Sequence, residues 1–180
     1  MNVSGSFLDP EKILFQAGLS KTQTVVDLGT GSGFYALAAS KIVGEQGRVF
    51  VVDILESALS HISSEARVKG LRNIQTLRCD LELPRACASI NEGVADFVIF
   101  ANVLHEVTNK NNMFSEAFRL LKTGGKLLII EWNDTPSPIG PESEVRVPQQ
   151  EASDYAQKTK LRLLRRIDTD QYHYGLLFVK

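Results

Sequence analysis

The residues best arranged for chemistry lie early in the chain, in the run Val25-Val26-Asp27-Leu28-Gly29-Thr30-Gly31-Ser32-Gly33-Phe34. An apolar stretch carrying an acid leads into three glycines at alternate positions, and an Ala- and Leu-rich segment of helical period follows. Glycine permits positive φ and lacks the Cβ that would hold a ligand away from the backbone. A helix that starts at such a turn offers unpaired N–H groups to the negative end of a ligand. Two further acids close apolar runs in the same way: Asp53 after Val49-Phe50-Val51-Val52, and Asp80 after Cys79.

Two ligand classes use this kind of turn. The dinucleotide fingerprint is G-x-G-x-x-G, and here Phe34 occupies the place of its third glycine. The acid decides further: Asp27 would repel a pyrophosphate but attract the ammonium and sulfonium of S-adenosylmethionine. The turn is therefore read as a site for S-adenosylmethionine, with a nicotinamide dinucleotide as the rival. Asp53 falls near the spacing at which such folds set a carboxylate against ribose hydroxyls. Its two oxygens can take both hydroxyl protons, which neither Asn nor Ser does. Asp80 is placed either to accept from an adenine amino group or only to form a turn.

The elements that must position these residues alternate between short apolar runs and stretches of helical period, so the chain is expected to be an α/β domain with a mostly parallel sheet. Strands are predicted over 24–28, 48–52, 74–78, 95–101 and 126–131, with helices over 34–43, after Leu55 to Gly70, and over 111–121. Residues 81–93 read as a loop. Residues 122–125, Lys-Thr-Gly-Gly, read as a turn. Four of the six prolines fall in 133–148, an expected surface loop, with Pro148 as the first residue of a helix to about Thr159. Strands over 161–167 and 172–179 close the chain as an antiparallel hairpin.

On these residues the chain resembles the class I S-adenosylmethionine-dependent methyltransferases, and within them the small-molecule branch around the ubiquinone/menaquinone-biosynthesis methyltransferases. The resemblance rests on Phe7-Leu8-Asp9-Pro10, the glycine turn, Val52-Asp53, Cys79-Asp80-Leu81, the stretch from Asp96 to Glu106, Leu121-Lys122-Thr123-Gly124-Gly125 and Tyr172-His173-Tyr174-Gly175. It implies a Rossmann-like seven-stranded sheet of order 3-2-1-4-5-7-6, strand 7 antiparallel, with helices on both faces. It also implies that Asp27 and the backbone of Gly29 and Gly31 surround the methionine end of the cofactor, with Thr30, Gly33 and Phe34 also cofactor-binding. Asp53 would take the ribose, Ile54 would pack on adenine, Asp80 and Leu81 would meet the adenine edge, and Asn102 would lie beside the methionine end.

The stretch Ala101-Asn102-Val103-Leu104-His105-Glu106 departs from the Asn/Asp-Pro-Pro-Tyr/Phe pattern of amino-methyltransferases, which argues against nucleobase or glutamine acceptors. His105, with Glu106 assisting, is the candidate base, because an imidazole titrates near neutrality; the competing reading is a packing histidine at a strand-to-helix junction. His61 is expected at the solvent edge of a helix and His173 in a cross-strand contact. Lys158, Lys160, Arg162, Arg165 and Arg166 read as the outward edge of a strand. Cys79 and Cys87 read as buried thiols, short of an arsenic-binding set, and no metal ligation is expected.

One domain of 180 residues is expected, with an N-terminal segment over 1–21 and a proline-rich insert over 133–151. At 43% hydrophobic and 23% charged the chain is neither disordered nor fibrous. Its formal net charge of −1 offers no general attraction to nucleic acid or anionic membranes. No run suits a signal peptide or a membrane span, so a cytoplasmic enzyme is expected. The expected chemistry is in-line methyl transfer to a small-molecule acceptor. A binding protein for S-adenosylmethionine or S-adenosylhomocysteine without turnover is the alternative. The insert is expected to border the acceptor pocket, and Phe7, Phe34, Tyr35 or a second subunit in a homodimer to complete it.

Overall fold

The computed structural model describes residues 8–180. In chain order the elements are α1 (Pro10–Ala17), β1 (Thr24–Leu28), α2 (Phe34–Val43), β2 (Arg48–Asp53), α3 (Glu56–Val68), β3 (Ile74–Arg78), β4 (Ala95–Ala101), α4 (Lys110–Leu120), β5 (Leu121–Trp132), α5 (Gln149–Lys158), β6 (Arg162–Ile167) and β7 (His173–Val179). One sheet takes the order β3-β2-β1-β4-β5-β7-β6. β1 to β5 pair in parallel, and β7 runs antiparallel to both β5 and β6. This is the expected Rossmann-like topology.

Both faces of the sheet are covered, which is why its strands read as continuous apolar runs. Val26, Leu28, Val98, Phe100, Leu127 and Ile129 point into the core beneath α4 and α5. Their neighbours Val25, Val51, Phe97, Ile99, Leu128 and Ile130 point into the core beneath α1, α2 and α3. Because β1 to β5 are parallel, their final residues and the loops after them meet at one carboxyl edge, where β7 also begins. Ligands of open α/β sheets bind in the crevice at that edge.

The N-terminal segment holds a helix that periodicity alone does not announce. α1 is two turns long, yet its ends are well specified: Asp9 accepts from the Lys12 N–H at 3.1 Å, Pro10 opens the first turn, and Gly18 closes it at φ 81°. Pro148 is the N-cap of α5 and not its first helical residue. The Lys-Thr-Gly-Gly turn belongs to the start of β5, where the register against β4 shifts between Ala95 and Phe97. Residues 81–93 contain turns and no helix. They are held by Arg119, which donates to the carbonyls of Ile90 (2.9 Å) and Cys87 (3.0 Å), and by Glu116, which accepts from the Cys87 N–H. Cys79 and Cys87 are free thiols buried in the core. Arg162, Arg165 and Arg166 lie exposed along the edge strand β6, as expected, but Lys158 is the last residue of α5 and Lys160 falls in the turn before the strand. Phe7 lies outside the described residues.

Candidate functional site

The glycine turn joins β1 to α2 at the carboxyl edge, and its three glycines have different physical reasons. A Cβ on Gly29 would stand 2.2 Å from Val103 Cγ2, and one on Gly33 would stand 2.5 Å from Ile62 Cγ1. These two keep the turn packed on its neighbours. Around Gly31, at φ 52°, there is nothing within 4 Å of a built Cβ. Gly31 is thus the point at which an outside molecule can reach the backbone. Phe34 follows at the first helical position and is largely exposed.

Two carboxylates flank this turn. Asp27 is 1% exposed; Thr30 Oγ1 donates to its Oδ2 at 2.7 Å, and its Oδ1 has no partner among the described residues. Burial pushes its carboxyl up to about 7, against the Thr30 bond and with help from the charge of Asp53. Asp53 closes β2, and its Oδ2 accepts from the Gly31 N–H and its Oδ1 from the Leu55 N–H, both at 2.9 Å. Each oxygen keeps a second lone pair, so the bracing of the turn leaves Asp53 able to accept two more hydrogen bonds. Ile54, directly after it, is half exposed.

Beyond β3, Asp80 forms the turn that was one of its two readings: Oδ1 accepts from the Glu82 N–H at 3.0 Å. The Leu81 side chain is buried in the core, so any contact it makes with a ligand comes from its main chain. Asn102 directly follows β4 in the left-handed region at φ 55°, a conformation Asn tolerates better than most residues. Its N–H donates to the Ile130 carbonyl at 2.9 Å, and its Oδ1 is buried without a partner among the described residues.

His105 is fixed by a residue that the sequence reading passes over. Glu131, fully buried near the end of β5, sits 3.0 Å from His105 Nδ1 and also accepts from the Leu104 and Trp132 N–H groups, both within 2.9 Å. Its signal was present, since Glu131 ends an apolar run just as Asp53 does. Burial works to lower the His105 pKa, but the bond and charge of Glu131, with Glu106, outweigh it and raise it. The carboxylate of Glu131 sets Nδ1 as the protonated nitrogen and leaves Nε2 facing Glu106, 3.9 Å away and exposed. His61 lies exposed on α3, and His173 packs against Trp132 across β5 and β7 with ring centroids 4.1 Å apart and planes tilted by 41°, as expected of both.

Asp27, Gly29, Thr30, Gly31, Gly33, Phe34, Asp53, Ile54, Asp80, Asn102, His105 and Glu106 therefore all meet the carboxyl edge. The insert leaves the same edge from Trp132. Arg146 folds it back, donating to the carbonyls of Asn133, Thr135 and Pro141, and Tyr174 Oη donates to the Val147 carbonyl at 2.9 Å.

A sheet of this order with a glycine turn between two strand-end acids is the arrangement of the class I S-adenosylmethionine-dependent methyltransferases. Residues 19–173 match the family described as "Methyltransferase domain", and the chain belongs to that family. It is 34% identical over 119 residues to the ubiquinone/menaquinone biosynthesis C-methyltransferase of Haemophilus ducreyi, a match covering 65% of this chain and 44% of that protein. The chain thus spans less than half the length of such curated relatives. A SAM-dependent methyltransferase from Aquifex aeolicus superposes with a TM-score of 0.86 at 29% identity, over 96% of this chain and 89% of that one. An arsenic(III) S-adenosylmethionine methyltransferase from Chlamydomonas reinhardtii superposes with a TM-score of 0.68 at 26% identity, over 89% of this chain and 64% of that one. Among the described residues no helix is long and apolar enough to cross a membrane, and no group of three His, Cys, Asp or Glu is placed to hold a metal.

Proposed function

We propose that the chain transfers the methyl group of S-adenosylmethionine to a small-molecule acceptor by in-line displacement, as a cytoplasmic enzyme that does not act on nucleic acid. The observation that carries this reading is the open approach to Gly31 between Asp27 and Asp53. Asp53 holds the ribose hydroxyls with the lone pairs left over from Gly31 and Leu55. Asp27 Oδ1 and Asn102 Oδ1 take hydrogens from the ammonium of the methionine end. Ile54 covers one face of adenine, and Asp80 with the main chain of Leu81 meets its edge. When bound, the donor supplies a methyl on a sulfonium, already a good leaving group, so the chain's own tasks are alignment and exclusion of water.

His105 Nε2, oriented from behind by Glu131, accepts the proton that an acceptor's nucleophile must shed as the new bond to the methyl carbon forms. Glu106 keeps the resulting imidazolium company. The insert borders the acceptor pocket, which its departure from the carboxyl edge favours. The C-methyltransferase name of the curated relatives supports a small acceptor for this chain too.

Calorimetry with S-adenosylhomocysteine tests the cofactor side. Asp53→Ala is expected to lose about 1–3 kcal/mol of binding, the usual cost of stranding hydrogen-bonding groups. Unchanged affinity would remove Asp53 from the site. Mass detection of a methylated product across a panel of small acceptors separates an enzyme from a binding protein, and binding of NAD(H) in place of the homocysteine nucleoside would overturn the reading altogether.

A further inference from the structure

The fold leaves β6 uncovered on both of its faces. It closes the sheet with no strand beyond it, and five of its six residues, Arg162 to Arg166, are exposed. Its pairing with β7 sets Arg165, opposite Leu177, on the face of α1, and Leu163 and Arg166, opposite Phe178 and Leu176, on the face of α5. Lys158 and Lys160, both exposed, lead into the strand from the end of α5 and the turn after it. Among the described residues none of these five cations is in an ion pair. The Arg165 guanidinium donates to the Gln16 carbonyl, and Lys158 Nζ lies over the Tyr155 ring. A chain with a formal net charge of −1 thus gathers five positive charges over residues 158–166.

Charge by itself would serve only to keep a sheet edge from aggregating. That role does not call for the apolar surface set among the cations. Leu163 is 39% exposed, Leu164 42%, and Phe15, next to the Gln16 that Arg165 holds, 63%. Leu164 is the extra residue of a bulge, where the register against β7 slips between Leu163 and Arg165. A bulge bends its strand and disrupts the ladder, so an added peptide strand finds no continuous row of partners. A second copy joined edge to edge would also set arginines against arginines. A nucleic acid would bring bases that stack on aromatic rings, and leucines offer none. The layer that takes both kinds of side chain at once is the boundary of an anionic bilayer. There the guanidinium and ammonium heads stay among the headgroups while apolar groups pass beneath them.

We infer that β6, with Lys158, Lys160 and Phe15, docks the protein reversibly on a membrane surface rich in anionic lipid. The sheet order puts four inter-strand spacings between β6 and β1, roughly 19 Å at the usual strand separation, so docking leaves the glycine turn uncovered. Attachment therefore does not depend on the methyltransferase reading above. Each basic residue near such a surface strengthens it about fivefold, an effect that falls off within a Debye length, so salt releases the protein.

The test is flotation of the full chain with vesicles of phosphatidylcholine alone, or of phosphatidylcholine and phosphatidylglycerol in about equal parts. Binding to the mixed vesicles should be at least tenfold tighter than to the neutral ones and should be lost in about 0.5 M salt. Arg162→Gln combined with Arg166→Gln should weaken it about 25-fold, two fivefold steps. Leu163→Ser combined with Leu164→Ser should weaken it at least threefold with the charge unchanged. In the wild type, a nitroxide-bearing lipid in bicelles of the mixed composition should broaden the amide resonances of residues 162–166 and leave those of β3, at the opposite margin of the sheet, sharp. This last readout needs no variant, so it decides the matter if a substitution prevents folding. Equal affinity for the two kinds of vesicle, leucine variants that bind as tightly as the wild type, or no broadening at β6 overturns the inference. Tighter binding of duplex DNA or of polyglutamate than of the mixed vesicles overturns it too, in favour of a nucleic acid or an acidic protein.

Discussion

The strongest quantitative consequence of the site concerns Asp27. Its carboxyl, ordinarily titrating at 3.8, is pushed up to about 7 by burial. At pH 6 it is therefore protonated in roughly nine molecules of ten, and at pH 8 in roughly one of ten. The ammonium of the cofactor, docking at the unpartnered Oδ1, needs the ionised form. Affinity for S-adenosylhomocysteine should accordingly be about tenfold weaker at pH 6 than at pH 8, with close to one proton released per ligand bound at the lower pH. Isothermal calorimetry in two buffers of different ionisation enthalpy measures both quantities. Asp27→Asn keeps an oxygen for the Thr30 hydroxyl but cannot ionise, so its affinity should lie below that of the wild type at pH 8 and lose this pH dependence. The sign for folding is opposite. A carboxyl whose folded pKa lies above its unfolded one favours the empty fold below pH 4, and that contribution is lost as pH rises to about 7, on the order of 4 kcal/mol in all. Asp27→Asn without ligand should thus melt higher than the wild type at pH 8. A wild-type affinity that stays flat from pH 5.5 to 8 would refute the assignment of Oδ1 to the ammonium.

Further outcomes follow from the same edge of the sheet. Gly29→Ala should lose about 2–4 kcal/mol of stability in urea melts, because its Cβ would collide with Val103 and its φ of 73° is strained; Gly31→Ala should cost only about 1 kcal/mol in the same melts yet weaken S-adenosylhomocysteine at least tenfold, since only a ligand is displaced there. Glu131→Gln should lower the pKa of His105 in an NMR titration and cost about 1–3 kcal/mol of stability, as an amide keeps one oxygen where the Leu104 and Trp132 N–H groups use two. The raised pKa of His105 stabilises the fold below its unfolded value near 6.5 and ceases to do so as pH rises through the folded value, so that slope should flatten in the variant.

Much of this was legible in the residues themselves. The glycine turn, the strand-end acids and the alternation of apolar runs with helical periods specify elements whose side chains are set by local geometry, and the parallel sheet follows from them. α1 was harder, because eight residues hold too few turns for periodicity to speak and only its caps betray it. The strand start at Leu121 was hidden by Gly124 and Gly125, which read as a turn until β4 supplies a partner for the shifted register. Leu81 reads like any residue beside Asp80, and only packing shows its side chain turned inward.

The chemistry of a cofactor turn is a local property, since the acid, the glycines and the helix start are neighbours in the chain and their types suffice to define it. Which glycine admits a ligand is not local: Gly29 and Gly33 are occupied by Val103 and Ile62, residues far along the chain, and Gly31 is left open. The pairing of Glu131 with His105 likewise arises only when the strands lie side by side. Burial and neighbouring charge, which set how a side chain titrates and what it lacks, are created by that assembly and by nothing shorter in range.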